Sequence, residues 1–305
     1  MFGPGAPDLA RGHLPRQLNS FIGREHELAE LKGLLGRSRL LTLTGPGGSG
    51  KTRLGLQLAA EAADGFPDGV YFVALAPVGH PDLVLSSIAQ GIGLRDEGDR
   101  PLPDRLCSYL EHARVLILLD NFEHLIAAAP AVTQILQATT VPRVVVTSRA
   151  PLHVSGEQEY EVPPLQVPDP ESATVAAVAG CESVRLFTER ARAVRPGFAL
   201  DEDNAGTIAA IARRLDGLPL AVELAAARVK LLPHAYSAGA GGRVPGRGGS
   251  HQPQHRGPAM PFGAYHRHAR RPHLDQAGLQ QPGATGGLGL RVRAGAERWV
   301  VPRAT

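Results

Sequence analysis

Residues 45–52 read Gly-Pro-Gly-Gly-Ser-Gly-Lys-Thr, an instance of G-x-x-x-x-G-K-[ST]. These residue types at this spacing suit a polyphosphate. Gly45, Gly47, Gly48 and Gly50 allow backbone N–H groups to face one concavity, where a side chain would block the turn or the anion. Pro46 and Ser49 complete the loop. Lys51 brings a point charge for the β and γ phosphates, and Thr52 brings a hydroxyl for Mg²⁺. A helix beginning at the end of the loop would add the positive end of its dipole. The bland alternative is a glycine-rich turn with an incidental lysine. A strand before the loop and a helix after it separate the two readings.

Four further positions could join this chemistry. Asp120 ends an apolar run downstream of the loop. A carboxylate at the C-terminal end of a strand beside a P-loop is where Mg²⁺ and its waters are held, and a capping aspartate is the competing reading. Asn121 follows, an amide rather than a base. Glu123 is therefore the candidate to activate water, against an acid merely drawn to a helix N-terminus by the dipole. Arg149 follows Thr147 and Ser148 at the end of another apolar run, placed to reach a γ-phosphate or simply to sit in a surface loop. Pro219, in the sequence Gly217-Leu218-Pro219-Leu220-Ala221, reads as helix punctuation.

The elements that must position these residues follow from periodicity. Leu28, Leu31, Leu34 and Leu35 repeat at helical spacing after residues 21–25. Strands are expected over 39–44, 70–75, 115–120 and 143–149, with a short fifth over 159–162. Helices are expected over 50–63, 81–91, 102–112 and 129–138. The run at 115–119 is apolar without interruption, which marks a central parallel strand covered on both faces. Alternating strands and helices argue an α/β fold, a doubly wound parallel sheet.

Pro163, Pro164, Pro168 and Pro170 then signal a linker, and residues 180–233 read as all helix. Val184, Phe187 and Ala191 share one face. Asp201 is placed to cap a helix carrying Ile208, Ile211 and Leu215. Gly217 ends that helix and Pro219 opens the next. Leu220, Val222, Leu224, Ala225 and Val229 make this last helix apolar on most faces, so it is expected to be buried. The expected organisation is a flexible leader over 1–19, a nucleotide-binding domain over 20–165, a linker over 166–179, a helical lid over 180–233 and a tail over 234–305.

The net charge of +3 hides an asymmetry: residues 233–305 carry ten arginines against Asp275 and Glu297, so the rest of the chain is acidic. That segment also holds 22 Gly and Pro among its 73 residues, too little apolar surface to offset chain entropy, and is expected to be disordered. The chain has three lysines against 29 arginines, the usage of GC-rich coding, and out-of-frame reading of such coding would give this tail's mixture. A genuine basic tail is the alternative. Cys107 and Cys181 form neither a disulfide framework nor a metal spacing, which points to a reducing compartment. The histidines do not group into a metal site. No signal peptide or apolar run of spanning length is visible, so a cytoplasmic location with no membrane partner is expected. The tail arginines are not accompanied by a recognisable nucleic-acid-binding signature.

Taken in order, Phe21-Ile22-Gly23-Arg24-Glu25, the loop at 45–52, Leu119-Asp120-Asn121-Phe122-Glu123-His124, Val146-Thr147-Ser148-Arg149 and Gly217-Leu218-Pro219-Leu220-Ala221 resemble the nucleotide-binding module of STAND-class, NB-ARC-like signalling ATPases. The resemblance is to the bacterial branch found in transcriptional regulators of the SARP and LuxR type. It implies a five-stranded parallel sheet in the P-loop NTPase arrangement, followed by a small helical lid. It implies an ATP- or ADP-binding regulatory switch with Mg²⁺, in which Gly23 and Arg24 lie near the adenine, Pro219 packs on it and Arg149 senses the γ-phosphate. Self-association or a regulatory protein partner would follow. Asn121, where other branches carry a second acid, implies slow hydrolysis. The resemblance stops near Pro233, whereas the family continues into a winged-helix domain and a repeat sensor. An AAA+-type working ATPase is the alternative from the enzyme class.

Overall fold

The computed structural model describes residues 14–94, 100–171 and 174–231. The tail expected over 234–305 and the first 13 residues of the leader lie outside them.

Five strands form one parallel sheet: β1 (Leu40–Thr44), β2 (Gly69–Ala74), β3 (Val115–Asp120), β4 (Arg143–Thr147) and β5 (Glu157–Glu161). Their order is β2-β3-β4-β1-β5. Leu41 lies opposite Val145 on one side and Gln158 on the other, and Leu118 is opposite Val145. The fifth strand starts two residues earlier than expected. It is an edge strand with the sequence Glu-Gln-Glu-Tyr-Glu, so its apolar alternation is weak and its boundaries were poorly marked.

Helices cover both faces. Side chains alternate across a strand, and β3 follows this rule. Val115, Ile117 and Leu119 join Ile88 of α3 (Val84–Gly91), Leu106 and Leu110 of α4 (Leu102–Leu110), and Val132 of α5 (Ala129–Ala138). Leu116 and Leu118 point the other way, to Leu28 and Leu31 of α1 (Glu25–Arg37) and Leu54 and Leu58 of α2 (Lys51–Glu61). This two-sided burial explains the unbroken apolar run. The chain has the P-loop NTPase fold, with the loop emerging from β1 at the C-terminal edge of the sheet.

The lid comprises α6 (Val175–Gly180), α7 (Glu182–Val194), α8 (Ala205–Arg214) and α9 (Pro219–Ala227) around a core of its own, with Val184, Phe187, Ile208 and Val222 at its centre. Three expectations change here. Helix α6 takes up the C-terminal third of the segment read as linker; Thr174 Oγ1 caps it by accepting from Ala177 N at 3.2 Å, and Val178 joins the lid core. Asp201 does not cap α8 directly. Its Oδ1 accepts from the amides of Asp203 and Asn204 in the preceding turn, and α8 starts after Asn204. Helix α9 is buried on one side only: Val222 and Ala226 are inside, while Leu220 and Leu224 are 51% and 59% exposed.

Gly217 ends α8 with φ +64, and a Cβ there would collide with the carbonyl oxygen of Leu165. Leu165 N in turn donates to Gly217 O, which ties the strand-to-lid connection to the turn between α8 and α9. The end of the leader is held as well. Leu14 packs on the α1/α2 side of the sheet, and the carbonyls of Asn19 and Ser20 accept from Arg53 at 3.0 and 2.9 Å.

Candidate functional site

The P-loop spans the turn between β1 and α2. Gly45, Gly48 and Gly50 have φ of 137°, 82° and 87°, backbone states open to glycine and strained for other residues. Gly50 occupies the N-cap of α2 and offers no side-chain cap, so the first-turn amides face outward without an internal acceptor from that residue. Lys51 Nζ folds back onto the loop and donates to the carbonyls of Gly45 at 2.8 Å and Pro46 at 2.9 Å. Burial pushes the Lys51 ammonium below the usual lysine range. Glu123 and Asp120 act against that push and Arg149 adds to it.

Asp120 and Thr52 meet behind the loop. Thr52 Oγ1 donates to Asp120 Oδ1 at 2.6 Å. Thr147 Oγ1 donates to the same oxygen at 2.7 Å and accepts from Asn121 N at 3.0 Å. A backbone N–H can only donate, so the Thr147 hydroxyl must spend its proton on Asp120. The carboxylate is thus aimed by two hydroxyls, one from the P-loop helix and one from β4. Hard oxygen donors with a single carboxylate suit Mg²⁺, which takes few protein ligands and completes its shell with water and phosphate. Sequence reasoning noted Thr147 only as a neighbour of Arg149; its role becomes visible when β3 and β4 pair.

Asn121 turns into the left-handed region, φ 72°, and starts the short 3-10 turn Phe122–His124. That turn brings Glu123 back toward β4. Arg149 Nε pairs with Glu123 Oε1 at 2.9 Å, and the Asn121 amide, in its hydrogen-bonded orientation, also donates to the Glu123 carboxylate. The two residues singled out for catalysis and phosphate sensing therefore meet each other. The Arg149 side chain is 68% exposed, so it has room to move away from this partner.

Gly23 and Arg24 lie at the junction of P-loop domain and lid. Both are left-handed, with φ 72° and 66°. The space a Gly23 side chain would need is filled by the Glu182 carboxylate of α7, which accepts from Arg24 N and Gln166 N. Arg24 is almost fully buried; its Nη2 donates to Ser49 O at 2.6 Å and Pro163 O at 3.0 Å. Its Nη1 and the Ser49 hydroxyl are buried with no protein partner. Such groups mark a place where a polar ligand or water is accommodated. Burial pushes the Arg24 guanidinium below its ordinary value, against the opposing pull of Glu27 and Glu182.

Pro219 opens α9 directly over the loop. Its Cγ lies 3.6 Å from where a Gly50 Cβ would stand, and Leu220 N donates to Gly48 O at 3.2 Å. The structure thus brings Gly23, Arg24, residues 45–52, Asp120, Glu123, Arg149 and Pro219 to one end of the sheet and the lid above it.

Residues 35–157 match a family described as an AAA domain. A Mycobacterium tuberculosis (strain H37Rv) protein named as an HTH-type transcriptional regulator, Rv0890c, is 40% identical over 201 residues, covering 66% of this chain and 21% of its own length. The regulatory protein AfsR of Streptomyces griseus is 30% identical over 243 residues, covering 74% and 22%. The chain spans about a fifth of the length of these two relatives. A solved STAND protein with a tetratricopeptide repeat sensor, from Pyrococcus horikoshii, is 16% identical, with a TM-score of 0.41 over 67% of this chain and 29% of its own.

Proposed function

We propose that the chain is an adenine-nucleotide-binding switch module of a signal-transduction ATPase, one that binds ATP or ADP with Mg²⁺ and hydrolyses ATP slowly. The observation that carries this reading is the meeting of Thr52 and Asp120 behind a P-loop whose lysine rests on its own loop carbonyls. In this reading residues 45–52 receive the phosphates, and Lys51 exchanges the carbonyls of Gly45 and Pro46 for phosphate oxygens. Thr52 and Asp120 would hold Mg²⁺, which would supply charge neutralisation to the β and γ phosphates. Gly23, Arg24 and Pro219 border the adenine, where the unpartnered Arg24 Nη1 and Ser49 hydroxyl favour a polar ligand. Arg149 leaves Glu123 to report the γ-phosphate, and Glu123, once released, becomes the group beside the attacking water. Asn121 cannot act as a base, which is why turnover is slow.

The names of the relatives support a place in transcriptional regulation; self-association or a regulatory protein partner as the output, and the cytoplasm as the location, are part of the same proposal. DNA contact is not assigned to the residues described here. Among these residues no helix is long and apolar enough to cross a membrane.

Nucleotide binding is tested by thermal unfolding of the full chain. Mg²⁺ and an adenine nucleotide at a hundredfold excess over Kd should stabilise it by about 2.7 kcal/mol. Lys51→Ala should lose that shift, and equal shifts in the two proteins would sink the assignment. The AAA domain match also favours a second reading, an AAA+-type motor. Steady turnover well above ~1 s⁻¹, the lower end for ordinary enzymes, would prefer the motor over the switch.

A further inference from the structure

One charged cluster is absent from the phosphate chemistry yet stands one residue from it. Arg53 follows Thr52 in the first turn of α2. Its Nη1 pairs with Glu223 Oε1 of α9 at 3.2 Å, and the same oxygen accepts from Arg190 Nε of α7 at 3.0 Å. Arg53 Nη2 also donates to the carbonyls of Asn19 and Ser20, and Arg190 Nη2 donates to Ser20 O at 3.1 Å. Ser20 Oγ closes the set by donating to Glu189 Oε1 at 3.1 Å. One carboxylate oxygen thus joins the P-loop helix to two lid helices, with the end of the leader threaded between the two guanidinium groups.

We infer that Glu223 is a positioning residue that clamps the lid over the P-loop, and that nucleotide leaves only when this clamp opens. The electrostatics give the clamp its sense. Two arginines converge on one acid, and each side chain is mostly out of water: Arg190 is 11%, Glu223 29% and Arg53 32% exposed. Burial, with Arg190 adding to it and Glu223 opposing it, lowers the Arg53 guanidinium from its ordinary value. Without the carboxylate, two like charges would face each other across the seam with only carbonyl partners, a repulsive arrangement that drives the surfaces apart. The covalent path is short. Helix α9 carries Glu223 one turn after Pro219 and Leu220, the residues that sit on Gly50 and Gly48. The turn of α2 that carries Arg53 carries Lys51 and Thr52. Opening at Glu223 therefore lifts the lid from the phosphate loop itself.

The test uses the full chain and two readouts. The amide of Leu220, bonded to Gly48 O across the seam, reports the clamp without any nucleotide. Glu223→Gln should speed its hydrogen exchange about tenfold, while the amides of Val184, Leu186 and Phe187, in the buried core of the lid, exchange as before. The second readout rests on the nucleotide reading: a fluorescent ADP analogue should dissociate about tenfold faster from the variant, with a much smaller change in association rate. Arg53→Gln removes the inter-module pair but leaves Glu223 with Arg190 inside the lid, and should reproduce both effects if Glu223→Gln fails to fold. Unchanged Leu220 exchange in these variants, or acceleration spread equally through α7, would overturn the clamp. Failure of the unaltered chain to bind the analogue would sink the nucleotide reading instead, and the exchange result would still decide the clamp.

Discussion

Strand β3 and helix α9 are almost equally apolar in sequence, and the fold treats them differently. In β3 every side chain from Val115 to Leu119 is buried. In α9 Val222 and Ala226 are buried, but about half of Leu220, which rests by one edge on Gly48, and more than half of Leu224 stay exposed. A strand has two faces, and here each meets a helical layer. A helix presents a full circumference, and the small lid covers only part of it. An unbroken apolar run therefore means complete burial when two layers are available to receive it. In a helix with neighbours on one side, the same composition produces an exposed pair one turn apart, the kind of patch that marks a contact surface or promotes self-association.

That contrast can be broken or sharpened by truncating one residue in each environment. Leu118, fully buried between β3 and α2, should be the most costly: Leu118→Ala should lower unfolding free energy by about 2–5 kcal/mol in urea titrations. Val222→Ala, on the covered side of α9, should cost about 1.5 kcal/mol, the equivalent of two buried methylenes. Leu224→Ala, on the open side, should stay within ~0.5 kcal/mol of the unaltered chain. A Leu224→Ala cost comparable to Val222→Ala would mean that this side of α9 is covered in solution, and the midpoint would then depend on protein concentration if a second copy does the covering.

Most members of the candidate site are legible in the sequence because its parts are local. The P-loop is eight consecutive residues, Asp120 closes the apolar strand β3, and Arg149 follows β4, which ends at Thr147 rather than running to 149, by two residues. What escaped reading depends on pairing over long separations. Thr147 aims Asp120 only because β4 lies beside β3. Arg53, Arg190 and Glu223 look like ordinary surface charges in three separate helices until the lid folds back, and nothing in their local spacing announces a shared oxygen. The α6 helix was hidden by the prolines before it, and its boundary is set by the Thr174 cap rather than by periodicity. The apolar content of α9 points to full burial, and Leu220 and Leu224 depart from it because the lid supplies neighbours on one side of the helix only.

The edge strand β5 has a consequence for how copies of this chain can assemble. Glu157, Glu159 and Glu161 alternate along five residues whose outer backbone groups have no neighbouring strand among the described residues. Two such edges brought together would oppose carboxylates at close range, which discourages strand-to-strand joining. Any higher-order arrangement built from this module is thereby steered away from continuous sheets through β5.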